Sequence, residues 1–482
     1  MTSRRTFVAV GIGTAAAWAL KPAFAQSSQD LASLTLKQAS DLLRTKAVSP
    51  VELTQACLQR IEKYNPAFNA FITVTKDQAL RSAREAETEI QRGRWKGPLH
   101  GMPIALKDNI DTAGIRTTGA SQVFENRVPE TDAEVARRLK NAGSVLLGKL
   151  NLHEFAYGGS SNVTYFGTMH NPWGPDHVTG GSSGGAGIAV ASDFCYAALG
   201  TDTAGSVRMP SSHCGIVGLK PTYGLVSTRG VLTLSWSLDH VGPMCKTVED
   251  AMLMMNAIAG FDALEPNSVD TPIPDYTRAM KTPTSKLRLG IARRPFFDNL
   301  DPEVTKAVDA ALAVLRKMTA GTVDVELPPA GNAATLWGSE AYAYHKPWIT
   351  QSPEKYQPGT RAQLQRTATA NGAEYAQARR DLDLVRREIK KVFTKVDLLI
   401  APTMKAPPAL LSAPGAGGGG GNNNVAFDMY GVPSISVPCG FTNSGLPIGL
   451  QISGAHFAET TVLALAHAYE QATEWHKRNP KL

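Results

Sequence analysis

Two glycine-rich stretches of the chain carry serines, and a lysine stands upstream of both. The first stretch reads Gly180-Gly181-Ser182-Ser183-Gly184-Gly185-Ala186-Gly187 and the second Gly200-Thr201-Asp202-Thr203-Ala204-Gly205-Ser206-Val207-Arg208. The lysine lies in Ala105-Leu106-Lys107-Asp108-Asn109-Ile110. A serine hydroxyl is a poor nucleophile until a base takes its proton. A lysine can be that base only while neutral, which needs a pKa well below the ordinary value of about 10.4, and burial lowers it. Asp108 works against this, because an adjacent carboxylate favours the ammonium, so its side chain has to point elsewhere. Other readings of the glycines fail. No G-K-[ST] follows as in a phosphate-binding loop, and no G-x-G-x-x-G opens a helix after the first strand. Ser206 sits in no G-x-S-x-G elbow. His153, His170 and His240 lie near these stretches and raise a Ser-His alternative, which fits none of the motifs.

Taken together, the three stretches resemble the amidase signature family. Gly167, Asn171-Pro172-Trp173, Cys214-Gly215, Gly218-Leu219-Lys220-Pro221-Thr222, Asp239, Gly242-Pro243, Val437-Pro438 and Gly445-Leu446-Pro447 fit the same pattern. The resemblance spans the chain beyond its N-terminal segment and is densest over Gly101–Met244. It implies a Ser-cisSer-Lys triad. Ser206 attacks the carbonyl, Ser182, which lies 24 residues earlier, relays the proton, and Lys107 is the base. The Gly181–Ser182 peptide is expected to be cis, and Ser183 is assigned no chemical step. Backbone N–H groups of the substrate-binding turn Thr203-Ala204-Gly205-Ser206 are expected to form the oxyanion hole. Ala204 departs from the family's commonest pattern, which has glycine there. Asp202 and Arg208 read as the scaffold of that turn, and Tyr157, Phe166 and Trp173 as candidate substrate-lining aromatics.

The implied reaction is hydrolysis of a carboxamide to an acid and an amine or ammonia, through a seryl acyl-enzyme. The partner is a small-molecule amide, and neither cofactor nor metal is called for. Members of the family take aliphatic, aryl, peptide and fatty acid amides and cyclic oligoamides, and some cleave esters or carbamates. The rival functions are an esterase or urethanase, the glutaminase subunit of a tRNA-dependent amidotransferase, and a catalytically silent binding protein. A homodimer is compatible with the resemblance.

The elements that must position these residues have their own signals. Thr35-Leu36-Lys37-Gln38 and Ser49-Pro50-Val51-Glu52 are capping-box helix starts. Leu53, Cys57, Ile61 and Tyr64 recur at helical spacing, and a third helix is predicted over Lys76–Gln91. Strands are predicted at Pro103–Leu106, Val145–Leu147, Leu287–Ala292, Val323–Leu327, Asp397–Ile400, Ser434–Val437 and Ile448–Ile452. Helices are predicted at Pro302–Met318 (capped by Asp301), Glu374–Phe393 and Glu459–Glu470. Such alternation predicts one α/β/α sandwich with a mixed, largely parallel central sheet and a helical N-terminal layer. Pro414–Asn424, with five consecutive glycines and three asparagines, reads as a surface loop, with a lid over the site as its functional alternative.

The first 25 residues read differently. Ser3-Arg4-Arg5-Thr6-Phe7 resembles a twin-arginine export motif, a short apolar run follows to Leu20, and Ala23-Phe24-Ala25 is an A-x-A cleavage pattern. The expectation is a signal peptide over residues 1–25 and a periplasmic enzyme over 26–482, with no stable membrane insertion after cleavage. Three of the charges behind the net +7 lie in that segment, and no basic run interleaved with aromatics exists, so nucleic acid is not an expected partner. The five cysteines are widely spaced and predict no disulfide framework. No H-E-x-x-H occurs, and the ten histidines are scattered, so no metal site is expected.

Overall fold

A computed structural model describes residues 30–413, 415 and 422–482. The segment expected to be a signal peptide and most of the Pro414–Asn424 loop therefore lie outside the described residues. The chain builds one eleven-stranded sheet. Its strands are β1 (Phe71–Val74), β2 (Pro103–Lys107), β3 (Val145–Leu150), β4 (Ala197–Asp202), β5 (Val217–Lys220) and β6 (His240–Cys245), followed by β7 (Arg288–Ile291), β8 (Gly321–Asp324), β9 (Leu398–Pro402), β10 (Ser434–Phe441) and β11 (Pro447–Gly454). They run in the order β1-β3-β2-β4-β6-β5-β10-β11-β9-β7-β8. Every residue of β2, β4, β9 and β11 is buried, as expected of strands covered by helices on both faces.

The sheet is mixed, as expected, but less parallel than the alternation of elements implies. Parallel pairs are confined to β3/β2/β4 and β9/β7/β8. The strands between are antiparallel. Part of the reason is connection length. The turn between β10 and β11 closes with Gly445 at φ +87° and an N–H bond from Gly445 to the Thr442 carbonyl, and so short a link permits only antiparallel pairing.

The N-terminal helical layer comprises Leu36–Arg44, Pro50–Phe68 and Lys76–Gln91. Both capping boxes form: Gln38 N–H donates to Thr35 Oγ1 at 3.1 Å and Glu52 N–H to Ser49 Oγ at 3.1 Å, with the reciprocal bonds present. Pro302–Met318 is capped by Asp301 and packs with Glu459–Gln471 against β10 and β11.

The second half of the first glycine stretch opens a helix, Gly184–Ala191. Glycine is a poor helix former, but here packing decides. A Cβ on Gly184 would lie 2.4 Å from Thr179 Oγ1, and one on Gly185 2.4 Å from the Asn151 carbonyl oxygen. The helix can be this close to its neighbours only without side chains. No helix among the described residues is long and apolar enough to cross a membrane.

Candidate active site

β2 and β4 are parallel neighbours, so their carboxyl ends open at the same edge of the sheet. Lys107 ends β2, and Thr201 and Asp202 end β4. Crevices at the carboxyl ends of parallel strands are the usual ligand sites of open α/β sheets. The loop before helix Gly184–Ala191 brings Ser182 and Ser183 to the same point, and the Gly181–Ser182 peptide is cis.

Lys107 is fully buried, and its Nζ is surrounded by hydroxyls. Ser182 Oγ lies at 2.7 Å, Ser183 Oγ at 2.9 Å and Thr201 Oγ1 at 2.7 Å. No carboxylate forms a salt bridge with it among the described residues. Burial lowers its pKa to about 7, against the pull of the Asp202 and Asp239 carboxylates, which favour the ammonium. Asp108, the feared neighbour, points away. Its Oδ2 accepts the Thr118 N–H at 2.9 Å and the Thr118 hydroxyl, and its Oδ1 lies 3.8 Å from Lys149 Nζ.

The three hydroxyls are not equivalent. Ser183 Oγ donates its proton to the Thr201 carbonyl at 3.1 Å, and Thr201 Oγ1 also accepts from Asn109 Nδ2 at 3.1 Å. Ser182 has no such outlet among the described residues. A neutral lysine has two protons to give and one lone pair to fill. Ser182 is thus the hydroxyl free to donate to Nζ. The motifs placed Lys107 and Ser182 together; they gave no sign of the contacts from Ser183, Thr201 and Asn109.

The turn after β4 is held by a buried charge cluster. Asp202 Oδ1 accepts the Gly205 N–H at 2.5 Å, and Oδ2 accepts the Val207 N–H at 3.1 Å. Arg208 grips Asp202 from Nε at 2.9 Å and reaches Asp428 from Nη2 at 2.6 Å. Burial alone would raise the Asp202 pKa, but Arg208 holds it below the carboxylate range. These are the scaffold contacts expected of Asp202 and Arg208. One expectation needs correction: the Gly205 N–H is already engaged by Asp202 and is not available to a substrate. Gly205 contributes shape, with φ +112° and a would-be Cβ 2.6 Å from Asn424 Cβ. The N–H groups of Thr203, Ala204 and Ser206 have no acceptor among the described residues. Ala204 is not at positive φ, so its methyl is compatible with the turn.

Ser206 is 7% exposed and faces a cavity of about 250 Å³. Thr203, Ala204, Tyr157, Met209, Leu234 and Trp337 are among its lining residues. Its hydroxyl makes no hydrogen bond among the described residues, and Ser183 N–H donates to the Ser206 carbonyl at 3.3 Å. Of the three candidate aromatics, only Tyr157 lines the cavity. Phe166 stacks under Arg116, and Trp173 donates to the Cys214 carbonyl at 2.7 Å and packs on Phe441. Trp337 was not foreseen. It sits on helix Ala333–Gln351, which packs against Pro358–Thr367 so closely that a Cβ on Gly338 would lie 2.6 Å from Thr367.

The histidines have other duties. His240 sits between Lys220 Nζ and the Asp202 carbonyl, and burial, with Lys220 adding to it, holds its pKa well below the usual value. His153 Nδ1 faces the Ser161 N–H, and His170 Nδ1 the Pro175 carbonyl. The five cysteines are buried and unpaired. Among the described residues, no three His, Cys, Asp or Glu side chains converge as metal ligands would.

Known proteins are similar to this chain in sequence and in fold. The family described as Amidase matches residues 52–463. An amidase from Pseudomonas putida is 41% identical, covering 94% of this chain and 98% of its own. A glutamyl-tRNA(Gln) amidotransferase subunit from Geotalea daltonii is also 41% identical, covering 94% of this chain and all of its own. Among solved structures, the peptide amidase PAM bound to the competitive inhibitor chymostatin is 32% identical with a TM-score of 0.83, covering 93% of this chain and 99% of that one. A helix-covered mixed sheet with a buried lysine among hydroxyls at the carboxyl ends of its parallel strands defines an α/β enzyme, and the chain belongs to the amidase family. It is a hydrolase acting on amide C–N bonds.

Proposed function

We propose that this chain hydrolyses its amide through a seryl acyl-enzyme, with Ser206 as nucleophile, Ser182 as proton relay and Lys107 as base. The observation that carries the reading is the seat of Lys107: fully buried, without a carboxylate partner, and with Ser182 Oγ at 2.7 Å. Ser206 Oγ attacks the carbonyl carbon, its proton passes to Ser182 Oγ, and the Ser182 proton passes to Nζ. The oxyanion is received by free N–H groups of the Thr203–Ser206 turn. Reversal of the transfers protonates the leaving nitrogen, the C–N bond breaks, and the acyl group remains on Ser206. Water then repeats the sequence, releasing the acid and restoring the hydroxyl. The proposed path requires the Ser206 and Ser182 hydroxyls to meet in the substrate complex; catalytic hydrogen bonds are often loose in a free enzyme.

A fluorophosphonate is expected to label Ser206 alone, and Ser206→Ala to abolish labelling and turnover together. An adduct on Ser182, Ser183 or a cysteine, with Ser206 untouched, would overturn the assignment. Residues 1–25 are read as a twin-arginine signal peptide and 26–482 as one catalytic domain, supported by Arg4-Arg5 and Ala23-Phe24-Ala25. Export to the periplasm is tested with Arg4→Lys/Arg5→Lys: periplasmic activity should vanish, and unchanged activity there refutes it. Association into a homodimer is read by light scattering. A second reading, as the glutaminase of a larger complex, is favoured by the amidotransferase relatives and opposed by the export motif.

A further inference from the structure

The lining of the Ser206 cavity bears on which amide enters it. Ala156, Met209, Leu234 and Val425 are apolar, Tyr157 and Trp337 aromatic, and the side-chain polar groups are those of Gln363, Asn422, Thr203 and Ser206 itself, with the Tyr157 hydroxyl and the Trp337 indole N–H, none of them charged. No lysine, arginine, aspartate or glutamate lines it among the described residues. The loop preceding Asn422 cannot supply one: positions 414–421 are proline, glycine and alanine throughout. The charged groups behind the wall are spoken for. Lys107 is enclosed by its three hydroxyls. Asp239 accepts from Thr203 Oγ1 at 2.6 Å and from the Leu234 and Ser235 N–H groups at 3.0 Å. Arg366, close enough to weigh on the Tyr157 phenol, is exposed and outside the lining; an ion pair made in water is worth little.

We infer that this site takes a neutral, mainly apolar amide, with an acyl part about the size of one aromatic ring, and turns away amides that carry a free carboxylate, glutamine included. The inference rests on the amide-hydrolase reading of the same cavity. The physical reason is desolvation. An ionised carboxylate taken from water into this lining would find no cation to pair with, and an unpaired buried charge is strongly disfavoured. An uncharged ring instead meets Trp337, Tyr157, Met209 and Leu234, and a cavity of about 250 Å³ has room for one ring and a short chain. Gln363 can orient a neutral polar substituent without demanding charge, whereas Asn422 is engaged by the Ala204 carbonyl and by Asn424.

The test is binding to the full chain carrying Ser206→Ala, which removes turnover from the readout. Phenylacetamide, 4-carboxyphenylacetamide and glutamine are titrated by calorimetry. Phenylacetamide is expected to bind at least about tenfold tighter than either carboxylate-bearing amide. Gln363→Arg places a cation in the wall and should raise affinity for 4-carboxyphenylacetamide by about tenfold. Affinities for the neutral and carboxylate-bearing amides within about threefold of one another, no binding of phenylacetamide, or carboxylate binding that Arg366→Gln abolishes would each overturn the inference. Labelling of Ser206 in the unaltered chain is read separately. Labelling with equal binding of charged amides refutes the substrate class and leaves the triad; the expected preference without labelling refutes the triad and leaves the substrate class.

Discussion

Lys107 and Lys149 lie on adjacent parallel strands, one register step apart, and neither has any exposed surface. Burial lowers both, Lys107 to about 7 and Lys149 to about 8. Their partners differ. Lys149 Nζ donates to the Ile110 carbonyl and to Thr117 Oγ1 at 2.6 Å, and the Asp108 carboxylate stands 3.8 Å away. A carbonyl and a carboxylate can only accept, so they suit an ammonium. Lys107 has hydroxyls, which accept from an ammonium and can donate to a neutral amine. Equal burial therefore yields a structural cation in one place and a group able to gain and lose a proton in the other.

The largest effect that would sharpen this contrast is kinetic. Lys107→Met should reduce kcat on the order of a thousandfold or more, in line with the loss of a general base. Lys149→Met should leave folded enzyme close to its normal kcat but lower stability by about 3–5 kcal/mol, because it strands the buried Asp108 carboxylate. Turnover per folded molecule and urea unfolding separate the two; equal losses of kcat would break the comparison.

Next in size is the pH dependence. Burial depresses Lys107 below its unfolded value, so the folded chain holds the neutral base at a pH where an exposed lysine would be charged. Activity should climb about tenfold per unit below pH 7 and level off above it, provided chemistry limits the rate. Linkage has a matching sign. Between about 7 and the unfolded value the unfolded chain binds the extra proton, so this lysine makes stability rise with pH across that window. A rate profile flat from about pH 6 to 9 under rate-limiting chemistry would count against Lys107 as base.

How much of this was legible in the sequence follows from the physics of each signal. Capping boxes are local, so Thr35/Gln38 and Ser49/Glu52 could be read directly and both form. The serines and the lysine were legible as a pattern, and Asp108 had to turn away on electrostatic grounds, as it does. Non-local contacts left no trace. Nothing in Ser183, Thr201 or Asn109 announces that they gather around Lys107, because the sheet brings them there. Helix Gly184–Ala191 was hidden by glycines that exist for close packing. Helices Ala333–Gln351 and Pro358–Thr367, which carry Trp337 and Gln363, were hidden in part by Gly338 and Pro347, which interrupt the helical pattern. The antiparallel middle of the sheet was missed because alternating elements are read as crossovers.

The smallest expected effect tests the hydroxyl seat itself. Thr201 Oγ1 accepts from Lys107 at 2.7 Å and from Asn109 at 3.1 Å, and it takes no part in the proposed proton path. Thr201→Val keeps nearly the same volume but removes the acceptor. Both forms of Lys107 lose an acceptor, but the bond lost by the ammonium is charge-assisted and the stronger of the two. The ammonium should therefore lose its proton more easily, and the acid limb of the rate profile should move down by about half a unit to one unit. The plateau rate should fall only a few-fold, on the order of one lost neutral hydrogen bond. Ser183→Ala should move the limb in the same direction, since Ser183 Oγ also accepts from Nζ at 2.9 Å. It should lower the plateau somewhat more, because its hydroxyl also bonds the Thr201 carbonyl and ties the serine loop to β4. A merely structural role for these hydroxyls would lower the rate equally at every pH. An unshifted limb in both variants would mean that they do not set the proton affinity of Lys107, and the contrast with Lys149 would then rest on Asp108 alone.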